Sequence, residues 1–155
     1  MPSQNESQRL ATACANAMWA TDTASQELGM SLTGIAPGSA TITMTVRHNM
    51  INGHGTGHGG YIFTLADSAF AFACNTHNQR TVAQHCSITF IAPVTEGDVL
   101  TATATMVSKL NRSGIYDVRV SNQRDECVAE FRGHSRTIKG SVLSPEATPT
   151  VSPEL

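Results

Sequence analysis

The stretch that most constrains the fold is "YIFTLADSAFAFACNTH", residues 61–77, which has almost no polar side. Its length and its alanines favour a helix over a strand, and alanine also allows close approach of neighbouring elements. A helix that is apolar on nearly all sides must be buried on most of them. The chain has 155 residues, enough for one domain with a hydrophobic core. We therefore expect one domain built around this central helix.

Most of the remaining sequence alternates between apolar and polar residues, as half-buried strands do. The pattern occurs in "TITMTV" at 41–46 and again in "CSITF", "GDVLTATATMVSKL", "GIYDVRVSN" and "CVAEFRGHSRTIK". Strands with two unlike faces are typical of an antiparallel sheet that is covered mainly on one side. Residues 7–28 have helical spacing, and Pro37-Gly38 marks a turn. The outline is helix, strand, long buried helix and four strands, which predicts an α+β layer fold.

Composition and charge exclude several classes of function. The net charge is -2 and no block of Lys and Arg occurs, so we expect neither a nucleic-acid nor an anionic-membrane partner. No apolar run is long enough to span a membrane, and the N-terminus does not resemble a secretory signal. The 4 cysteines are far apart and contain no C-x-x-C pair, which predicts reduced thiols in a cytoplasmic protein. Residues 1–140 form the predicted domain, and the proline-containing segment 141–155 is expected to be a disordered tail.

The glycine-rich segment before the central helix allows several interpretations. Gly55, Gly57 and Gly60 fit G-x-G-x-x-G, but the next strand ends in "FIAPV" without a ribose-binding acid, which argues against a dinucleotide site. His54 and His58 have the H-x-x-x-H spacing of a metal site, yet the glycines make the helix that this site requires improbable. The backbone N–H groups at the start of the helix could instead hold a phosphate or the oxyanion of an acyl transfer. A tight turn without further function remains open.

Asp67 lies inside the most apolar helix of the chain. An unpaired buried carboxylate is costly, so such a residue is usually functional or hydrogen-bonded internally. Gly59 and Asp67 are eight residues apart, which is about 12 Å along one helix. An oxyanion donor and a nucleophile must both come within about 3 Å of one carbonyl group. We therefore predict a twofold dimer with two composite sites, each taking Gly59 from one subunit and Asp67 from its partner.

Four segments together resemble the hotdog-fold acyl-CoA thioesterases, most closely those of the phenylacetic-acid-degradation (PaaI) type. The segments are Asn52, "HGG" at 58–60, "LADSAFAFACN" at 65–75 and "ITFIAPVTEGDVLTATA" at 88–104. The resemblance covers most of residues 8–140. It implies a long central helix wrapped by a curved antiparallel sheet. It also implies hydrolysis of an acyl-CoA, with phenylacetyl- or hydroxyphenylacetyl-CoA as favoured substrates.

The resemblance further implies dimers that often pair into tetramers, no metal and no prosthetic group, since coenzyme A belongs to the substrate. It assigns roles to four residues. Asp67 matches the acid that attacks the thioester carbonyl or activates a water, and Gly59 matches the glycine whose N–H group polarises the carbonyl oxygen. Asn52 matches an asparagine that positions the water or the acyl group, and His58 has an orienting role.

At one position the chain departs from some relatives, which have a serine on the strand after the helix where this chain has Ala83. His85 or Ser87 could compensate. The phosphates of coenzyme A require cations, for which the resemblance indicates the turn "KLNRSG" and the last strand. The candidate substrate- and CoA-binding residues are Gly60, Lys109, Arg112, Ser113 and His134.

Two other functions remain open. A non-catalytic hotdog module would bind acyl-CoA without cleaving it, although such sensors usually carry a DNA-binding segment, for which the first 28 residues are too short and too acidic. A hydroxyacyl-CoA dehydratase would use a histidine near the acid, for which His58 is a candidate, but the "HGG…D" arrangement favours hydrolysis. The aromatic residues near the site either line an acyl pocket or belong to the core. They are Tyr61, Phe63, Phe70 and Phe72.

Overall fold

The computed structural model describes residues 1–145 and shows a six-stranded antiparallel sheet with one long helix against it. The helices are α1 (Gln4–Thr21), α2 (Thr23–Glu27) and α3 (Gly59–Cys74), with a one-turn 3-10 helix at His48–Met50. The strands are β1 (Ser31–Ala36), β2 (Ser39–Thr45), β3 (Thr81–Phe90), β4 (Val99–Leu110), β5 (Ser113–Ser121) and β6 (Cys127–Thr137). Their order in the sheet is β1-β2-β4-β5-β6-β3. The predicted central helix and the four strands that follow it are therefore present.

Helix α3 packs on one face of the sheet through an almost continuous apolar surface. Leu65 and Phe70 are fully buried on this helix. The Phe70 ring packs between Tyr116 of β5 and Phe131 of β6, with ring centroids 5.6 and 5.9 Å away. Burying one such side chain stabilises the fold by about 1.5–3 kcal/mol, so this contact alone resists any sliding of α3. The contact holds this part of α3 against β5 and β6.

A single N-terminal helix was predicted over residues 7–28, but the structure has two helices there. The prediction of one uninterrupted helix was therefore wrong. The break is at Asp22, whose carboxylate accepts hydrogen bonds from the Ser25 N–H group at 2.9 Å and the Ser25 hydroxyl at 2.7 Å. Asp side chains that bond to nearby backbone groups compete with the helical pattern and favour a new helix start. Ser25 also bonds to Ser68 of α3 at 2.9 Å, which ties the short second helix to the central one.

Strand β1 was not predicted from the sequence. It pairs with β2 across the Pro37-Gly38 turn, where Gly38 has a φ of 72°. The β1 residues are exposed or half-buried throughout, so they lack the alternation of buried positions that marks β2, β5 and β6. Helix α1 lies beside this strand, and the Gln8 side chain donates to the Ile35 carbonyl at 2.8 Å.

Only residues 141–145 of the predicted C-terminal tail are described. Leu143 is buried, and its N–H group donates to the Asn78 side chain at 2.8 Å. This first part of the segment therefore packs against the loop after α3. Residues 146–155 lie outside the described residues, and the domain boundary at 140 stays a prediction.

Candidate active site

Helix α3 begins at the glycine pair, with His58 as its N-cap. The His58 Nδ1 atom accepts a hydrogen bond from the Gly60 N–H group at 2.9 Å. The His58 N–H group itself donates to the Met50 carbonyl at 2.7 Å, which fixes the residue in place. Within residues 1–145 the Gly59 N–H group has no acceptor. Gly59 therefore presents a free donor at the positive end of the helix, where a negative oxygen is stabilised.

Asn52 organises the loop that leads to this helix. Its Oδ1 atom accepts from the His54 N–H group at 2.9 Å, the Thr56 N–H group at 3.2 Å and the Thr56 hydroxyl at 3.3 Å. An Asx turn of this kind replaces backbone hydrogen bonds in a tight loop. The Asn52 side-chain NH₂ group has no acceptor in the described part of the chain. This NH₂ group is available to donate to a water or to the acyl group. The positioning role of Asn52 stays a prediction.

Two glycines of this loop allow unusually close packing. A Cβ atom at Gly57 would overlap the Val94 side chain, and one at Gly59 would lie 2.8 Å from Cζ of Phe90. Gly57 also donates its N–H to the Val94 carbonyl at 2.8 Å. The glycines therefore bring the loop against the segment after β3. No second parallel strand follows, because all strands of the described sheet are antiparallel, and the dinucleotide interpretation is excluded.

Gly59 borders an apolar cleft of about 410 Å³ that the sequence analysis did not identify. A cleft of this size can hold a small organic group. Phe70 and Phe72 of the predicted aromatic set belong to the core instead. The only sign of the cleft in the sequence was the apolar run "FIAPV" at 90–94. The side chains that line it are those of Thr56, Ile62, Phe90, Ile91, Ala92, Pro93 and Val94.

Asp67 lies two turns along α3 from the glycine pair and is half-buried. Its carboxylate accepts no hydrogen bond from any residue of the described range, so it is not an internally satisfied group. Burial raises the pKa of Asp67 above its ordinary value. The pKa of the Cys86 thiol is raised mainly by burial and also by the charge of Asp67, so the two groups lie within electrostatic range of each other.

The functional groups of α3 lie along a free sheet edge. Within residues 1–145, strand β3 is last in the strand order and pairs only with β6. Phe90 of β3 contacts Gly59, and Cys86 of β3 is close to Asp67. Phe90 and Cys86 are four residues apart, which is about 13 Å along the strand. This distance matches the separation of about 12 Å between Gly59 and Asp67 along the helix. Gly59 and Asp67 thus face the same unpaired edge but are too far apart to act together in one chain.

His85 and Ser87 do not replace the serine that is missing at position 83. They pair with His134 and Arg132 of β6, and the His85 ring lies 5.4 Å from the His134 ring. Because side chains alternate along a strand, these residues point away from α3, whereas Cys86 points toward it. The suggestion that either one assists Asp67 within the chain is therefore wrong.

Four of the predicted CoA-binding residues gather at the opposite end of the sheet, around the turn between β4 and β5. The Lys109 ammonium donates to the Gln79 side chain at 3.0 Å, and the Arg112 carbonyl accepts from Thr137 at 2.8 Å. Ser113 and His134 line a shallow cleft of about 200 Å³. Gly60 is not part of this group, because its N–H group is at the start of α3.

Three further cations that the sequence analysis did not select belong to the same end of the sheet. Arg80 exchanges backbone hydrogen bonds with Ile138 and Gly140, and Arg136 pairs with Ser113. Lys139 is next to both contacts in the chain. The segments that meet here, 75–90, 99–116 and 131–145, contain no Asp or Glu. This end of the sheet is therefore positively charged, which suits the phosphates of coenzyme A.

The histidine pair of the glycine-rich segment does not form a helical metal site. His54 is exposed in a turn, and Nδ1 of His58 is already engaged by Gly60. Across residues 1–145, no three His, Cys, Asp or Glu side chains are placed to share one metal ion. Over the same range, none of the helices has the length and apolar character needed to cross a membrane.

Comparison with known proteins decides the family. Residues 54–129 match the thioesterase superfamily. The chain is also 43% identical to the acyl-coenzyme A thioesterase PaaI of Escherichia coli (strain K12) over 128 residues, which cover 83% of this chain and 91% of that protein. The chain belongs to the thioesterase superfamily. As a member it is a thioester hydrolase, in agreement with the resemblance in the sequence.

Solved structures of this superfamily share the fold. The structure of the E. coli PaaI protein has a TM-score of 0.85 and 42% identity, with 86% of this chain and 97% of that chain covered. A mutant structure of the PaaI protein from Thermus thermophilus has a TM-score of 0.73 and 35% identity, covering 76% and 100% of the two chains. A Streptococcus mutans protein bound to acetyl CoA has a TM-score of 0.69 and 26% identity, covering 72% and 90%. The predicted hotdog fold is confirmed.

Proposed function

We propose that this thioester hydrolase acts on acyl-CoA, releasing a carboxylic acid and free coenzyme A, at a site built from Gly59 and Asp67. The observation that carries the proposal is that a free N–H group and an unpaired carboxylate face the same open edge of the sheet. Two of the similar proteins support the substrate class, since one is named an acyl-coenzyme A thioesterase and another was solved with acetyl CoA. By analogy with the former, an aryl-acetyl group is the favoured acyl group.

The chemistry follows from the two unpaired groups. The thioester carbonyl oxygen accepts the Gly59 N–H, which stabilises the negative charge that develops there; one donor of this kind is worth about 3–4 kcal/mol. Asp67 either attacks the carbonyl carbon to form an anhydride, which water then hydrolyses, or takes a proton from a water that attacks directly. In both routes the sulfur leaves as the coenzyme A thiolate. Burial raises the pKa of Asp67, so its carboxylate is a stronger base than an exposed one.

We further propose that two chains pair through β3 and complete each other's sites. An antiparallel pairing centred on Ile88 would place Phe90 opposite Cys86 of the partner subunit. Because Phe90 contacts Gly59 and Cys86 is close to Asp67, this register brings Gly59 beside Asp67 of the partner subunit. Each dimer would then contain two equivalent sites related by the twofold axis.

The edge itself supports this pairing. Phe90 and Ile91 are 50% and 56% exposed at the end of β3. The flank of α3 beside this edge is also only partly covered, with Phe63, Thr64 and Ala71 half-buried. A long unpaired strand with apolar residues tends to pair with another chain. Association of dimers into tetramers remains a prediction from the family resemblance, and a cytoplasmic location remains a prediction from the cysteines and the N-terminal sequence.

A thiol-release assay tests the function. The purified protein is incubated with acetyl-, hexanoyl- and phenylacetyl-CoA, and free coenzyme A is measured with a thiol reagent. We expect release with the wild type and a loss of about 100-fold or more with Asp67→Asn, while acyl-CoA binding is retained. Unsaturation of a hydroxyacyl-CoA without thiol release would identify a dehydratase. Tight binding with neither reaction would identify a sensor.

Mixed dimers test the composite site. Asp67→Asn and Gly59→Val are each expected to be inactive as homodimers. A heterodimer of the two variants has one site with both native residues, so a statistical mixture should recover about one quarter of wild-type activity. If each chain carried a complete site, every site in the mixture would contain one defect and no activity would return.

A further inference from the structure

We propose that the cleft beside Gly59 binds the acyl group and that Phe90 is its specificity-determining residue. This inference rests on the proposed hydrolysis of acyl-CoA and deepens it. Nothing in the sequence singled out Phe90, which lies 31 positions after Gly59 at the end of the edge strand.

The position of the ring is the first observation. A Cβ atom built at Gly59 would meet Cζ of Phe90 at 2.8 Å and both Cε atoms at 3.2 Å, so the ring points end-on at the residue that supplies the oxyanion donor. The side chain is nevertheless 50% exposed. Unlike Phe63 and Phe70, it has no aromatic neighbour among residues 1–145. In the proposed dimer this surface lies at the subunit boundary, where a ligand held at Gly59 would also contact the ring.

The chemistry of the cleft is the second observation. In the described part of the chain its walls include no charged side chain, and Thr56 is the only lining residue with a polar side chain. A phosphate would have no cation there, whereas an aliphatic or aryl group would bury apolar surface. The cleft therefore suits the acyl end of the substrate and not the coenzyme A end.

Selectivity follows from the reach of the acyl group. An acetyl group ends at the thioester and is too short to contact the ring, whereas hexanoyl and phenylacetyl groups extend along it. A buried apolar contact changes kcat/KM by roughly tenfold or more, and an aromatic pair adds a further preference for aryl groups. Substitutions of Phe90 should therefore change the ratio of kcat/KM between the larger acyl groups and acetyl.

The test compares kcat/KM for acetyl-, hexanoyl- and phenylacetyl-CoA in three variants of the full chain. We expect Phe90→Ala to lower the ratio of phenylacetyl-CoA to acetyl-CoA by about tenfold or more, and Phe90→Leu to lower it less while keeping hexanoyl-CoA. Phe90→Trp narrows the cleft and should reduce both larger substrates relative to acetyl-CoA. Val107→Ala serves as the control, since Val107 is 52% exposed on β4 and does not line the cleft.

The outcomes separate this inference from the function it rests on. If the wild type releases thiol but all three substrates change equally in the Phe90 variants, or none changes, Phe90 does not select the acyl group. If the wild type releases no thiol from any acyl-CoA, the proposed function itself fails. Sedimentation of each variant shows whether the dimer is lost. If Phe90→Ala fails to fold or no longer forms the dimer, the kcat/KM ratios of Phe90→Leu and Phe90→Trp test the role of Phe90.

Discussion

The imidazole of His58 accepts the Gly60 N–H group at 2.9 Å, while the N–H group of Gly59, one position earlier, has no acceptor within the described range. The next N–H group, that of Tyr61, bonds to the His58 carbonyl at 3.0 Å. The helix end therefore presents one free donor and not the several that a bound phosphate engages. This pattern suits a single carbonyl oxygen that becomes negative during reaction.

The His58 cap can be tested by two substitutions. His58→Ala should lower the free energy of unfolding by about 1 kcal/mol, since it leaves the Gly60 N–H group without its acceptor. His58→Asn should retain most of that stability, because an Asn side-chain oxygen caps helices well. Urea unfolding measures both, and thiol release shows whether activity follows the cap. Equal stability of His58→Ala and the wild type would show that the cap contributes nothing.

The packing of the glycine loop predicts a contrast between two glycines. Gly57→Ala should cost about 1–3 kcal/mol of folding free energy, because its Cβ would overlap Val94, and activity should fall as Gly59 is displaced. Gly53→Ala meets no atom within 4 Å and should change stability by less than about 0.5 kcal/mol. Combining Gly57→Ala with Val94→Ala should recover part of the loss. Equal effects at both glycines in urea unfolding would contradict this steric explanation.

Asp67 should destabilise the folded chain at neutral pH. Burial raises the pKa of Asp67, so the folded state holds the proton more tightly than the unfolded state does. Stability therefore decreases as the pH rises from the pKa of Asp67 in the unfolded chain, about 3.9, through its higher pKa in the folded chain. Asp67→Asn should therefore raise the free energy of unfolding at pH 7, and this gain should vanish at pH 3. Thermal unfolding across this pH range measures it.

Asp117→Asn is a control in which removal of the carboxylate should have the opposite effect on stability. The hydrogen bonds from Arg132, at 2.6 and 2.9 Å, hold the pKa of Asp117 below its ordinary value. The ionised Asp117 carboxylate therefore stabilises the fold at pH values above the pKa of Asp117 in the unfolded state. This stabilisation is lost as the pH falls through the pKa of Asp117 in the folded state. The pair is exposed, so the substitution should cost less than about 1 kcal/mol at pH 7. A loss of stability in Asp67→Asn at pH 7 would show instead that Asp67 has a structural partner.

The register proposed for the dimer predicts a specific cross-link. Pairing centred on Ile88 places Ser87 opposite Thr89 of the partner subunit, at a Cα separation of about 4.5–5.5 Å that permits a disulfide. In a Cys86→Ser background, the double variant Ser87→Cys with Thr89→Cys should form a covalent dimer on oxidation. Each single variant should remain largely monomeric in denaturing electrophoresis. Efficient cross-linking of Ser87→Cys alone would indicate another register.

The positive end of the sheet predicts a phosphate-dependent effect on KM. Arg112→Gln should raise KM for acyl-CoA several-fold, because an ion pair with a phosphate is lost. It should leave KM unchanged for the corresponding acyl-pantetheine, which has no phosphate. Arg124→Gln is the matched control, since Arg124 is exposed and paired with Glu126. An equal effect of Arg112→Gln on both substrates would rule out a phosphate contact.

Local patterns in the sequence were sufficient for the central elements and for the spacing within α3. The apolar run around Asp67 and the alternation in the later strands are short-range signals, and helix and strands form where they indicate. The distance between Gly59 and Asp67 follows from helical rise alone, so the composite site could be proposed without a structure. The break at Asp22 and the strand β1 were missed, because a side-chain cap and a half-covered strand leave no clear periodicity.

Tertiary structure decided which distant residues meet. The contact of Phe90 with Gly59 and the orientation of His85 away from α3 depend on the pairing of β3 with β6, which includes an irregularity between Ala83 and His85. A shift of one residue in that pairing would move every β3 side chain to the other face. Periodicity shows that a strand has two faces, but only its packing against neighbours determines which residue faces the helix. For this reason the cleft beside Gly59 and the unpaired edge of β3 became visible only in the folded chain.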